Sequence, residues 1–146
     1  MSLPFPLAMN ALLEALEARG YVFVTPTPAT HARVIARRGE AHDLRDVFGW
    51  SLPFRRDAID AEIIALMASA GVLEERGDLL ASTIRVSTLG KHAFVHSAYP
   101  TTAHDAVFFG PDSYRFAAFL EAELPKLSRR KHLVDIGTGT GVGAIL

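Results

Sequence analysis

The stretch His132-Leu133-Val134-Asp135-Ile136-Gly137-Thr138-Gly139-Thr140-Gly141-Val142-Gly143-Ala144-Ile145-Leu146 decides the reading of this 146-residue chain. His132 to Ile136 is an apolar run with an Asp near its carboxyl end, and reads as a buried strand. Four glycines at every second position, Gly137 to Gly143, read as a turn, and Ala144-Ile145-Leu146 opens a helix. A strand feeding a helix through such a turn lets a ligand approach backbone where any Cβ would clash, and it sets helix N-terminal N–H groups beside that ligand. A phosphate-cradling P-loop would need Gly-Lys-Ser/Thr at the helix start, and this loop has no Lys. The dinucleotide pattern G-x-G-x-x-G/A can be laid on Gly139, Gly141 and Ala144, but its acidic residue roughly 20 positions later would fall beyond Leu146.

The run Leu133 to Gly141, hydrophobic-hydrophobic-Asp-x-Gly-x-Gly-x-Gly, resembles without a gap the first motif of class I S-adenosylmethionine-dependent methyltransferases. In that motif Asp135 accepts hydrogen bonds from the cationic amino group of the cofactor's methionine moiety, and Gly137, Thr138, Gly139 and Gly141 form the loop that clears room for it. The preceding Phe108-Phe109-Gly110-Pro111-Asp112-Ser113-Tyr114 is similar to the corresponding segment of the methyltransferase-small-domain group, which includes release-factor glutamine and several ribosomal-RNA methyltransferases. This resemblance makes Phe108, Phe109 or Tyr114 walls of the cofactor pocket, and it covers residues 105 to 146. It implies S-adenosylmethionine as cofactor and a nitrogen on an RNA or protein as methyl acceptor. The family's ribose-binding acid, its Asp near the adenine and its Asn/Asp-Pro-Pro-Tyr/Phe loop are not in this sequence. Catalytic residues are therefore expected beyond Leu146. The chain is read as the N-terminal part of a methyltransferase, inactive alone.

Working back from the loop, Pro111 at a first helical position introduces a helix carrying Phe116, Phe119, Leu120 and Leu124. Ala98-Tyr99-Pro100-Thr101-Thr102 breaks the pattern and marks a boundary between residues 1–98 and 99–146. Met9, Leu12, Leu13 and Leu16 predict a first amphipathic helix closed by Gly20. Tyr21 to Val24 reads as a brief strand ended by Pro26 and Pro28. Two short helical stretches follow, His31 to Arg38 and Ala41 to Phe48, with Val34, Ile35, Leu44, Val47 and Phe48 facing inward. Asp57 is expected to cap a helix with Ile59, Ile63, Leu66, Met67 and Ala70 on one face, ended by Gly71. An acidic turn at Glu74 to Asp78, a long strand from Leu79 to Thr88, a turn at Leu89 to Lys91 and a strand from His92 to Ser97 complete this half. The expected fold is mainly α with a β-hairpin, a winged-helix-like N-terminal domain that positions substrate. It is followed by the truncated start of an α/β Rossmann-like methyltransferase domain.

Composition bounds the remaining choices. Fifteen Lys and Arg against sixteen Asp and Glu give a net charge of −1, which argues against a dedicated nucleic-acid coat. No Cys means no disulfide, thiol nucleophile or Cys-based zinc site, and fits a cytoplasmic protein. No apolar run approaches the 18 residues of a membrane span, so no membrane partner is expected. His92 and His96 share a strand face with Phe94, and His104-Asp105 follow, but lone histidines without an acidic ligand cluster read as structural rather than metal-binding. Arg33, Arg37, Arg38, Arg55 and Arg56 read as a solvated or salt-bridged surface, with nucleic-acid docking the alternative. The Asp57 to Ala70 helix carries Asp57, Asp60 and Glu62 and no cation, so it would repel phosphates. Trp50 reads as a core or interface aromatic. Val134, Ile136, Val142 and Ile145 are expected to lie exposed and to favour self-association. The competing class is a non-enzymatic winged-helix module, binding nucleic acid or protein, whose glycine-rich tail serves only packing.

Overall fold

A computed structural model describes residues 5–126, 132 and 134–146. The chain is a mixed structure of helices and small antiparallel hairpins, in the order α1 (Phe5–Ala18), α2 (Pro28–Ile35), α3 (Leu44–Phe48), α4 (Ala61–Ser69), β1 (Leu73–Arg76), β2 (Leu79–Ser82), β3 (Ile84–Leu89), β4 (His92–Ser97), α5 (Pro111–Glu123) and α6 (Val142–Ile145). Among the described residues no helix is long and apolar enough to cross a membrane.

The first core forms because α1 turns Ala8, Leu12 and Leu16 inward onto Ile63, Ile64 and Met67 of α4, with Phe23, Val47, Phe48 and Phe54 closing it. Gly20 and Gly71 end their helices in the left-handed region, at φ 68° and 63°. The capping of α4 differs from the expectation. The helix starts at Ala61, not after Asp57, and Asp60 at its N-cap makes no side-chain capping bond. The Asp60 carboxylate instead takes the Arg19 guanidinium at 2.7 Å, and Glu62 takes it at 2.6 Å, joining the end of α1 to the start of α4.

Tyr21 to Val24 is extended but is not a ladder strand. Phe23 meets β3 through one main-chain bond, Thr88 N–H to Phe23 O at 2.8 Å. Its own N–H goes to Thr88 Oγ1 at 3.1 Å, so a side chain replaces the second rung. The next helix begins three residues earlier than the sequence suggests, because Thr27 caps it and Pro28 supplies the preset φ of a first turn. Asp43 caps α3 by accepting Asp46 N–H at 2.8 Å. Residue Ala41 is thereby left outside the helix, in a parallel bridge to Phe54.

The acidic stretch expected to turn is β1, and the turn shrinks to Gly77-Asp78. Glu74, Glu75 and Arg76 are exposed, so the hairpin tolerates charge on a strand that faces water. The long strand breaks at Thr83 into β2 and β3, giving two separate two-stranded sheets. Ser82 Oγ donates to Ile84 O at 2.8 Å and accepts Ile84 N–H at 3.2 Å, a local turn that competes with the ladder. The β3–β4 hairpin pairs Arg85 with His96 and Ser87 with Phe94.

Segment 98–102 is tied to the first core. Tyr99 N–H donates to Ser51 Oγ at 3.1 Å, and the Tyr99 ring stacks on His31 at 4.2 Å. Beyond it, α5 buries Ala117, while Phe116 and Phe119, among the apolar residues that the helix was expected to carry, are exposed. Among the described residues of 132–136 no strand forms, and Val134 and Ile136 lie open to solvent. Leu133 and the basic run Arg129 to Lys131 lie outside the described residues.

Candidate functional site

The glycine loop adopts the backbone that its composition predicts. Gly137, Gly139 and Gly141 have φ of 76°, 54° and 84°, a region that strains any residue with a Cβ. A Cβ at Gly137 would meet no described residue within 4 Å, so there the requirement is conformational. Thr138 Oγ1 donates to Asp135 O at 2.9 Å, and Gly141 N–H donates to Thr138 O at 2.8 Å, which closes the turn.

Asp135 is the chemically informative residue. Its Oδ2 is buried and accepts no hydrogen bond from any described residue. It lies against the start of α6: a Cβ on Gly143 would stand 2.9 Å from that oxygen and 3.2 Å from Phe116 Cε1. Gly143 is thus required by close approach, a role that motif spacing alone does not reveal. A carboxylate oxygen without a donor is costly unless a cation or N–H meets it. The donor set of this loop therefore fits a ligand bearing an ammonium group.

Phe109 and Tyr114 are brought to the same place as the loop. Phe109 is fully buried, stacked on Phe94 at 5.2 Å and on His96 at 5.5 Å, with Tyr114 edge-on at 5.0 Å. Val142, expected to be exposed, is buried in this cluster with Phe94, Phe109 and Ala117, because α6 packs back against α5. Phe109 and Tyr114 thus support the helix that follows the loop. Phe108 is half exposed and folds across Gly110, where a Cβ would meet its ring at 2.9 Å from Cε1. Gly110 N–H donates to Ser113 Oγ at 3.3 Å, fixing the first turn of α5.

A buried polar network beneath this cluster was not legible in the sequence. Tyr114 Oη accepts Thr25 N–H at 3.1 Å, the Thr25 and Ser87 hydroxyls share a hydrogen bond, and Ser87 Oγ meets His96 Nε2 at 2.7 Å. Burial, assisted by the nearby Arg85 and His31, pushes His96 down to about 3, and burial with Arg85 pushes His31 down to about 4. Burial also raises the Tyr114 hydroxyl above its ordinary value. Trp50 O accepts the His31 Nε2–H at 3.0 Å, so the neutral ring presents an unprotonated Nδ1. Arg85 is only 3% exposed, bonded to Ser97 O at 3.0 Å and Thr101 Oγ1 at 3.2 Å, with no carboxylate partner among the described residues. The same burial lowers its own pKa.

The other candidates separate. His96 is buried on Ser87 while His92 is half exposed, and no group of three or more His, Asp or Glu among the described residues is placed to hold a metal. Arg38 pairs with Asp46, and Arg55 pairs with Glu40 at 2.9 Å. Arg33, Arg37 and Arg56 are exposed. Trp50 is half buried against Phe23, edge-on at 5.2 Å. Set beside protein-family models, curated proteins and solved structures, the chain matches none of them.

Proposed function

We propose that this chain is the N-terminal part of an S-adenosylmethionine-dependent methyltransferase, with a winged-helix-like module at residues 1–98 and the opening of a Rossmann-like domain at residues 99–146. The observation that carries the reading is the loop after Asp135, with left-handed glycines at positions 137, 139 and 141 and a buried Asp135 oxygen that has no donor among the described residues. Bound there, the cofactor would supply an electrophilic sulfonium methyl. Asp135 would accept from its ammonium group, and the turn from Gly137 to Gly141 would admit it without a Cβ in the way. Phe109 and Tyr114 would hold the loop against the hairpin. The first module, with its α4 and following hairpins, would position a macromolecular acceptor, and the methyl would go to a nitrogen.

Val134 and Ile136 stand exposed at 82% and 92% in a segment that forms no strand among the described residues; on this reading the segment would become a covered parallel strand only beside further strands. On this reading the chain transfers no methyl group alone, and calorimetric titration with S-adenosylmethionine gives weak binding or none; micromolar affinity would overturn that part. The deciding experiment is to determine the coding sequence downstream of codon 146. An acidic residue after a second strand and an Asn/Asp-Pro-Pro-aromatic loop are expected, and a native stop would withdraw the catalytic reading.

A further inference from the structure

Along α1, Asn10, Leu13, Glu14 and Glu17 recur at i, i+3, i+4 and i+7 and share one stripe, beside the stripe of Ala8, Leu12 and Leu16 that fills the core. Gly20, at φ 68°, ends the helix, and Tyr21 reaches β3, where its hydroxyl donates to Val86 O at 2.7 Å. The stripe is left facing the β3–β4 hairpin over a cleft of 410 Å³, whose other wall is Val86, Thr88 and the hairpin tip from Gly90 to Ala93. Small-ligand sites occupy roughly 300–1,000 Å³.

The floor of this cleft is apolar and its rim is charged. Leu16, Tyr21 and Val86 are buried at its base, and the Tyr21 hydroxyl is already bonded, so its ring adds apolar surface. Glu14 and Glu17 stand exposed on the α1 wall and Lys91 on the hairpin tip. None of the three forms an ion pair among the described residues, although all border one cleft. Two carboxylates against one ammonium leave the rim negative.

We propose that this cleft binds a small organic cation, an ammonium group carried on an apolar body. The body leaves water for the surface of Leu16, Tyr21 and Val86, and the ammonium takes its place beside Glu14 and Glu17. An anion of the same shape would meet the carboxylates with like charge, and a cation without an apolar body would leave the floor unused. No residue of the glycine loop lines the cleft, and the test needs no cofactor.

The probes are 4-phenylbutylammonium, neutral 4-phenylbutanol, anionic 4-phenylbutyrate and ethylammonium, each titrated into the whole chain at constant ionic strength and followed by amide NMR. With about eleven heavy atoms, 4-phenylbutylammonium is expected to bind in the millimolar range and to shift the Gly20, Val22, Lys91 and Ala93 amides. It should bind about three- to ten-fold more tightly than the alcohol, the worth of two partly screened carboxylates, while the butyrate and ethylammonium leave those amides in place. Glu14→Gln with Glu17→Gln should abolish the preference for the ammonium over the alcohol, and Lys91→Met should increase it. These side chains are exposed and unpaired among the described residues, so an unchanged melting temperature is expected of both variants. Four results would each overturn the proposal: no shifts at the cleft, equal binding of the alcohol or the butyrate, the same shifts from ethylammonium, which would reduce the site to an acidic patch, or a preference that survives the double substitution.

Discussion

Lowering the pH from 7 to 5 should destabilise this protein through two buried imidazoles. His31 and His96 lie at about 4 and about 3 in the folded chain, against an ordinary 6.5. Above pH 6.5 both states hold these rings neutral, and the full stability is present. Below 6.5 the unfolded chain binds a proton at each ring and the folded chain does not, so stability falls until the folded values are reached. At pH 5 the loss is set by the distance from 6.5 down to 5 and hardly by how far below 5 the folded values lie. It amounts to about 2 kcal/mol per histidine and about 4 kcal/mol for the pair. Urea unfolding at pH 7 and pH 5 measures it directly, provided the urea dependence m stays constant. His96→Gln and His31→Gln, which keep a polar group near each Nε2, should each remove half of the pH dependence, and together nearly all of it. A loss under about 1 kcal/mol, or a slope that survives the double substitution, would refute the assignment of neutral buried imidazoles.

Arg85→Met removes the buried cation that disfavours protonation of both rings, so NMR titration should find the His96 and His31 midpoints raised; unchanged midpoints would mean that burial alone sets them. Phe109→Ala empties a fully buried site stacked on Phe94 and His96, and should cost about 3–5 kcal/mol in urea unfolding. Gly143→Ala places a methyl against Asp135 and Phe116; hydrogen exchange should speed up at Ala144 and Ile145 while the first core keeps its protection. Gly49→Ala drives a methyl into the Phe23 ring and to 2.6 Å from Arg45 O, and should cost about 1–3 kcal/mol by thermal melting.

What was legible followed from periodicity and end signals. The Leu12 and Leu16 spacing with Gly20, and the Ile63 and Met67 spacing with Gly71, carry both their helix and its stop locally. The start of α4 was not local: Asp57 and Asp60 are equivalent cap residues by type, and the contact of Asp60 with Arg19 lies across the fold. β1 was hidden because Glu74, Glu75 and Arg76 carry the charges of a turn while its pairing needs only backbone. At the site, the turn at Gly137 to Gly141 was readable from the glycine spacing, but the left-handed φ of these glycines was not part of that reading. The burial of Val142 was not readable, because it depends on α6 folding back on α5 and joining a cluster with Ala117, Phe109 and Phe94. The His31, Arg85 and His96 group was hidden for the same reason, since three separate segments meet to make it.

The inner edge of segment 21–25 has a consequence for how the chain is made. Tyr21 Oη donates to Val86 O at 2.7 Å, Phe23 meets Thr88 and Thr25 meets Ser87, all across 62 to 65 residues. A ribosome adding roughly 5–20 residues per second needs several seconds to supply those partners after the segment appears. For that interval both edges of an apolar extended stretch stand open, and in its first part, until α4 follows, the apolar face of α1 is open too. The nascent chain therefore has its greatest need of a chaperone early, before β3 is synthesised, and that need should end abruptly when the β3–β4 hairpin clears the exit tunnel.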